Sequence, residues 1–179
     1  MDDIKERFRQ YQEAIEASNI VSKTDTNGTI TFVNDEFCKM SGFTREELIG
    51  ANHNIVRHPE VPKEVFARLW DTILAKKVHK GTIRNRTKDG RDVYLNTTII
   101  PILNLSGQIE EFLAIRYDVT DVINLNNELE KTRKELLNLN ESLENRVAEQ
   151  TAKLVNLNQN LENLVKADLE MEFNNSIFI

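Results

Sequence analysis

The spacing of apolar residues changes twice along the chain and divides it into three parts. In residues 3–18 apolar side chains recur three or four positions apart, which predicts an amphipathic helix that covers the core or pairs with a second copy. Residues 19–121 contain short β-branched runs separated by turn residues. From residue 122 the apolar positions follow heptads. We therefore expect an N-terminal cap helix (1–18), one mixed domain (19–121) and one long helix (122–173).

The middle part has the pattern of an α+β domain. Five β-branched-rich runs predict five strands, at 20–24, 29–33, 78–86, 92–103 and 109–118. Between the second and third runs, Asn34 and Thr44 are typical N-caps of two short helices, and residues 63–76 predict a longer amphipathic helix. Two strands, then helices, then three strands describe an antiparallel sheet with helices on one face.

The third part has a heptad seam. From Val122 to Leu143 the seam positions alternate three and four residues apart, and the next is Val147, four residues on where three were due. This insertion is a stutter, which locally unwinds a coiled coil. A lone helix of roughly 75 Å cannot bury such a seam, so the pattern predicts a parallel homodimer. Residues 174–176 (Asn-Asn-Ser) are expected to break the helix, and 174–179 to begin a missing output domain in cis.

Composition narrows the function classes. The net charge is −6, and residues 122–179 hold six Lys+Arg against ten Asp+Glu, so neither half has the basic surface of a nucleic-acid-binding protein. One cysteine, Cys38, excludes an internal disulfide and fits a reducing compartment. Without an apolar run of 18 residues or a signal peptide, we expect a cytoplasmic protein with no membrane span. Spacings typical of nucleophilic, metal or phosphate sites are missing, which favours a sensory module over an enzyme.

Residues 53–62 are rich in side chains that could bind a ligand. They hold two of the three histidines, two of the three prolines, an arginine and a glutamate. Proline restricts the backbone, so we expect an irregular segment of fixed shape. Arginine and histidine side chains suit a polar or anionic ligand. A surface loop whose charges remain solvated explains the same residues, and the pattern alone leaves both interpretations open.

Several motifs resemble those of PAS sensor domains: Asn34-Asp35-x-Phe37, Ser41-Gly42-Phe43-Thr44, Lys88-Asp89-Gly90 and Ile115-Arg116-x-Asp118-Val119-Thr120-Asp121. This resemblance implies a PAS fold for residues 19–121. More narrowly, residues 53–63 together with Phe66 and Trp70 resemble the aerotaxis-receptor type of PAS domain. That subgroup holds FAD non-covalently and reads cellular redox state.

The resemblance implies a cofactor-binding set: Asn34, Arg57, His58, Glu60, Trp70, His79 and Asn85. Two positions depart from the subgroup. Glu60 replaces an aspartate, which keeps the charge, and His79 replaces a tryptophan beside the flavin, which removes a stacking wall. Haem b is therefore an alternative cofactor, because some related PAS domains bind haem through an axial histidine. The candidate axial ligands are His53, His58 and His79.

Light sensing through a cysteinyl–flavin adduct is disfavoured, because the reactive cysteine would lie in residues 53–62 and Cys38 does not. The stretch from Leu143 to Leu154 resembles connectors that precede histidine-kinase and diguanylate-cyclase domains. The resemblance thus implies an input module that senses redox state or oxygen and signals through a dimeric coiled coil to such an output domain. The alternatives are a haem-based gas sensor, a cofactor-free small-ligand or dimerisation module, and a free-standing coiled-coil adaptor.

Overall fold

A computed structural model describes the backbone of residues 2–177 and the side chains of residues 3–169. The helices and strands, in chain order, are α1 (Asp2–Ser18), β1 (Ile20–Thr24), β2 (Ile30–Val33), α2 (Asp35–Ser41), α3 (Arg45–Leu48), α4 (Lys63–Leu74), β3 (His79–Arg86), β4 (Asp92–Leu103), β5 (Ile109–Asp118) and α5 (Thr120–Ile177). The chain separates into two compact units, Met1–Leu125 and Asn126–Ile179.

The first unit is built on one five-stranded antiparallel sheet, in the order β2-β1-β5-β4-β3. This confirms the predicted fold class. The strand register aligns alternate residues across the sheet: Ser22 pairs with Ala114, Ala114 pairs with Ile99, and Ile99 pairs with His79. Because alternate residues of a strand share one face, this row marks the inner face of the sheet.

The helices cover that inner face over two groups of buried apolar residues. One group underlies α2 and α3 and comprises Ile20, Ile30, Val33, Phe37, Leu48, Val56, Val93 and Leu95. The other lies beneath α4 and comprises Leu69, Ile73, Ile99, Phe112 and Ala114. The two groups fill the layer between sheet and helices, as expected for a two-layer α+β domain.

Local capping explains where the short helices begin and end. The Asn34 side chain accepts a hydrogen bond from the Phe37 amide at the start of α2, and Gly42 ends that helix in the left-handed conformation (φ +75°). Thr44 and Glu47 form a reciprocal capping box on α3. Both N-caps confirm the prediction.

Two helical segments differ from expectation. Residues 53–62 are predicted to be an irregular segment of fixed shape, but His53–Val56 form a 3₁₀ turn that is capped by the Asn52 side chain. Helix α4 ends at Leu74 rather than residue 76, since Lys76 takes a left-handed conformation (φ +59°) that an α-helix cannot continue.

The second unit is the continuation of α5. The helix runs through residues 174–176, so the predicted break there is wrong. Asparagine and serine are only moderately weaker helix formers than alanine, and neither residue stops a helix as proline does. At 58 residues α5 is about 87 Å long.

None of the described helices carries an apolar stretch long enough to cross a membrane.

Candidate ligand-binding cavity

A cavity opens between the inner face of the sheet, helix α4 and the segment 52–57. The cavity is open to solvent, and the empty space between these elements is about 800 Å³ when the mouth is counted. The apolar lining is Phe66, Leu69, Trp70, Ile73, Ile83, Ile99, Phe112 and Ala114, and the remaining lining is Ser22, Thr24, Gly28, Asn52, His53, Asn54, Arg57, Asn85 and Arg116. The cavity therefore combines broad apolar walls with a few polar groups.

Backbone contacts hold the segment 52–57 against β3 and against the turn between β1 and β2. Arg57 forms an isolated antiparallel bridge with Asn85 of β3. The His53 amide donates to the Gly28 carbonyl at 2.9 Å. These two contacts place His53 and Arg57 at the cavity, whereas Pro59 and Glu60 of the same segment are exposed.

Arg57 reaches the cavity with its guanidinium group constrained. The group lies 3.8 Å from the centroid of the Phe66 ring, and its Nη2 donates to the Val61 carbonyl at 3.4 Å. Arginine stacks well on aromatic faces because its charge is delocalised and weakly hydrated. The stack leaves other guanidinium N–H groups available to a ligand.

Asn85 is a buried polar residue of the cavity wall whose amide is free to meet a ligand. The residue is only 5% exposed, and its amide lines the cavity. No hydrogen bond joins that amide to any of the residues whose side chains the structure describes. An amide in this position offers two donors and an acceptor to a ligand in the cavity.

Arg116, His53 and Ser22 form a second polar group on the cavity wall. Arg116 donates from Nη1 to Ser22 Oγ and from Nη2 to His53 Nε2, both at 2.9 Å. Burial and the neighbouring Arg116 charge lower the pKa of His53 to about 3, so its ring is neutral and can accept this bond. Burial also lowers the pKa of Arg116 to about 10, which still leaves the guanidinium charged at neutral pH.

We expect His53 to make stability depend on pH. Its pKa is about 6.5 in the unfolded chain and about 3 in the fold, so its contribution is full above pH 6.5 and is lost as the pH falls toward 3. Between pH 6.5 and 4.5 the loss is about 2 kcal/mol. Urea unfolding of wild type and His53→Gln checks this, because glutamine keeps an acceptor for Arg116 but does not titrate. Parallel pH profiles for the two proteins would contradict it.

Trp70 closes one side of the cavity. Its ring meets Phe112 edge-on, with 5.6 Å between the centroids. A Cβ atom on Gly28, whose φ is +82°, would lie 3.1 Å from Trp70 Cζ2, so a side chain there would be strained and crowd the indole. The absence of a side chain at Gly28 thus leaves room for the Trp70 indole in the cavity wall.

Of the predicted site residues, Arg57, Trp70 and Asn85 line the cavity, as does the haem-ligand candidate His53. The other four lie outside the lining. His58 is fully buried: its Nδ1 accepts from the Glu60 amide at 3.1 Å, and its Nε2 lies 2.9 Å from Asp92 Oδ1. Because Nδ1 accepts from an N–H, Nε2 carries the proton and donates to Asp92, and Arg86 Nη2, 3.1 Å from Nε2, cannot donate to it in this tautomer.

Glu60 and His79 face other surroundings. Glu60 is exposed and accepts from Arg84 Nη1 at 2.9 Å. His79 is on the inner face of β3, opposite Ile99 of β4. Its imidazole lies beside Gly81, since a Cβ atom added to that glycine would be 3.5 Å from His79 Nε2. Burial lowers the pKa of His79. His79 therefore lies on the correct face of the sheet but beyond the cavity lining.

Asn34 has its hydrogen-bonding capacity filled by backbone. Its Oδ1 accepts from the Val21 and Phe37 amides at 2.9 and 3.1 Å, and its Nδ2 donates to the Glu16 and Asn19 carbonyls at 2.8 and 2.7 Å. The side chain thus ties the end of α1 to β1 and α2.

Removing the Asn34 amide is expected to destabilise the fold. Asn34→Ala loses an N-cap and leaves several backbone groups without partners, which should lower the free energy of unfolding by about 2–4 kcal/mol in urea titrations. Thr44→Ala is the matched control, because Thr44 is an exposed N-cap, and its cost should be about 1 kcal/mol. Equal losses in the two variants would show that the buried network adds nothing.

Sequence reasoning missed Arg116, Ser22 and Asn52 as members of the site. Arg116 was noted within the motif that closes the domain, as a family marker only. The alternation of residues along β5 could have identified it. Phe112, Ala114 and Arg116 lie on the same face of the strand, so if the two apolar residues face the core, the arginine faces the core as well.

Residues 6–119 match the family described as PAS fold, and the chain belongs to this family. It is 36% identical to the aerotaxis receptor of Escherichia coli (strain K12) over 104 residues, which cover 58% of this chain and 20% of the receptor. It is 30% identical to the nitrogen fixation regulatory protein of Klebsiella pneumoniae over 105 residues, which cover 59% of this chain and 21% of that protein. The match thus spans about a fifth of these relatives.

A solved PAS domain from Colwellia psychrerythraea superposes with a TM-score of 0.59 at 23% identity, covering 64% of this chain and 98% of that one. This likeness supports the fold.

Proposed function

We propose that this chain is a flavin-binding sensory input module that holds FAD in the cavity and responds to redox state or oxygen. The observation that carries the proposal is Asn85, a buried residue of the cavity wall whose side-chain amide has no hydrogen-bond partner among the described residues. Such a group favours a ligand that is flat and apolar over most of its area and offers donors and acceptors along one edge. The isoalloxazine ring has this character, and the similarity to the aerotaxis receptor supports the choice.

The chain's own residues fit the group in three ways. Asn85 offers a donor and an acceptor to the polar edge of the ring. Trp70 and the aliphatic lining supply apolar surface and exclude water. Arg57 lies near the mouth with spare donors for an anionic group such as a phosphate. When bound, a flavin supplies reversible electron transfer, which protein side chains alone do not provide.

Haem is the weaker alternative because the described histidines are engaged or lie outside the lining. An axial ligand must present a free ring nitrogen to the iron. The His53 Nε2 atom accepts from Arg116, and both His58 nitrogens have protein partners. His79 is outside the lining. Haem binding would require these contacts to rearrange.

Cysteinyl-adduct photochemistry is not supported either. Cys38 is on α2 and is not a lining residue of the cavity. Burial raises the pKa of its thiol, which makes it a poor nucleophile.

Transmission of the signal would use β5 and the start of α5. Arg116 is on β5, which ends at Asp118, and α5 begins two residues later at Thr120. The Val119 amide donates to the Tyr94 carbonyl at 2.8 Å, and the Tyr94 amide donates to Thr120 Oγ1 at 2.9 Å. A change in the sheet would therefore be felt directly where α5 begins.

The partner of α5 is proposed to be a second copy of the chain. Seam leucines such as Leu129 and Leu139 are more than half exposed. A heptad seam of this length can bury itself against an identical helix. The stutter near Val147 supplies a place where two packings are close in energy, which a switch requires. The output domain, a histidine kinase or a diguanylate cyclase, would follow in cis in the cytoplasm.

Equilibrium titration of cofactor-free protein with FAD tests the proposal. We expect one site per chain with a Kd of about 1 μM or tighter, that is, about −8 kcal/mol. Haemin is titrated in parallel. Tight haemin binding without FAD binding would favour the haem alternative, and binding of neither would leave a cofactor-free module.

A further inference from the structure

Arg116 is the one arginine or lysine that is fully buried among the residues whose side chains the structure describes, and it has no acidic partner. It is 3% exposed, and its guanidinium bonds to a hydroxyl and a neutral imidazole. No carboxylate lies within ion-pair distance of it among the residues whose side chains the structure describes. Arg84, by contrast, pairs with both Asp92 and Glu60.

An unpaired buried charge is unfavourable unless something compensates it. Taking a charged group out of water without an opposite charge destabilises a fold, and neutral hydrogen bonds restore only part of the loss. The Phe37 ring, 5.6 Å from the guanidinium carbon, contributes a weak cation–π attraction. Because Arg116 also lines the cavity, the missing negative charge can come from a ligand.

We propose that Arg116 is the anion-recognising residue of the cavity, and that with FAD bound it selectively stabilises the reduced, negatively charged flavin. This inference rests on the proposed flavin-binding function. Two electrons from an added reductant such as dithionite and one proton from water convert the neutral oxidised ring into a reduced ring with one negative charge. The fixed positive charge of Arg116 favours that product over the oxidised ring, and therefore raises the reduction potential.

Arg57 does not have the same role. Its guanidinium lies against Phe66 and a backbone carbonyl at the segment near the mouth, and it is only partly buried. Its charge is screened by water, whereas the charge of Arg116 acts in a region of low dielectric. Arg116 is therefore assigned to setting the reduction potential of the flavin, and Arg57 to helping to retain the cofactor.

The test compares midpoint potentials of bound FAD in wild type, Arg116→Met and Arg116→Lys by spectroelectrochemical titration. Methionine removes the charge at similar side-chain length, and lysine keeps it. We expect the ratio of affinities for reduced and oxidised FAD to fall at least tenfold in Arg116→Met, which is about 30 mV for a two-electron couple. The lysine variant should remain within threefold of wild type.

A second readout uses cofactor-free protein. Arg116→Met removes the cost of an unpaired buried charge, which offsets the loss of its hydrogen bonds to Ser22 and His53, so the cofactor-free variant should unfold close to the wild-type temperature. Failure of this variant to fold, or clear destabilisation, would overturn the inference, because Arg116 would then be a structural residue.

The remaining outcomes are distinct. Wild type that binds FAD, with the same potential in Arg116→Met, would overturn the role of Arg116 and leave the flavin-binding function standing. Wild type that binds no FAD would overturn both.

Discussion

Asn85→Leu is expected to weaken FAD binding by about 100- to 1,000-fold. Leucine has the same number of side-chain heavy atoms and the same branching as asparagine but offers neither donor nor acceptor. The polar edge of the ring would enter a buried site without partners, and two lost hydrogen bonds in such a site amount to about 3–4 kcal/mol. The measurement is the FAD titration described above, with circular dichroism to verify the fold. Since the Asn85 amide has no partner within the described protein, the variant should fold at least as well as wild type.

Asn54→Leu is the matched control for this prediction. Asn54 lines the same cavity but is exposed at its mouth, where water can replace any lost contact. Its Kd should change by less than about threefold, since an exposed hydrogen bond contributes little. Equal weakening in both variants, or no weakening in Asn85→Leu, would remove Asn85 from the site.

The double variant Leu136→Glu/Leu139→Glu is expected to convert a dimer into monomers. In a parallel coiled coil each of these seam positions faces its own copy, so the variant would place four carboxylates in an apolar seam. Burying unpaired charges costs several kcal/mol per ion, far more than the seam can offset locally. Sedimentation equilibrium should show a dimer for wild type and a monomer for the variant.

Leu137→Glu controls for the general effect of a new charge on the helix. Leu137 neighbours the seam in sequence and is similarly exposed in the single chain, at 60% against 56% for Leu136, but its heptad position faces outward. This variant should remain a dimer. A monomeric wild type, or a double variant that still dimerises, would contradict the coiled-coil proposal.

The fold could be predicted from sequence because its signals are local. Asn34, Thr44 and Gly42 mark helix ends through hydrogen bonds or backbone angles within a few residues. The strands follow from β-branched runs bounded by turn residues, and α5 from an apolar seam with no proline or glycine in residues 122–172. The predicted break at residues 174–176 failed for the same reason: a weak local preference was read as a stop, whereas the helix continues.

The site was harder to predict because membership depends on burial and register. Asn34 and His58 have side chains that suit a ligand, yet each is used by nearby protein groups. Asn85 was proposed from a family resemblance, and only its missing partners in the fold give it a physical reason. To predict Arg116 as a site residue, one would have to know that β5 is the central strand and that its inner face lines the cavity.

The most direct test of the account is a visible absorption spectrum of the purified protein after reconstitution with FAD and removal of the excess, recorded before and after dithionite. The account predicts flavin bands at one FAD per chain that bleach on reduction and return in air. A colourless protein after reconstitution, or a protein that takes up haemin and shows a Soret band instead, would contradict it.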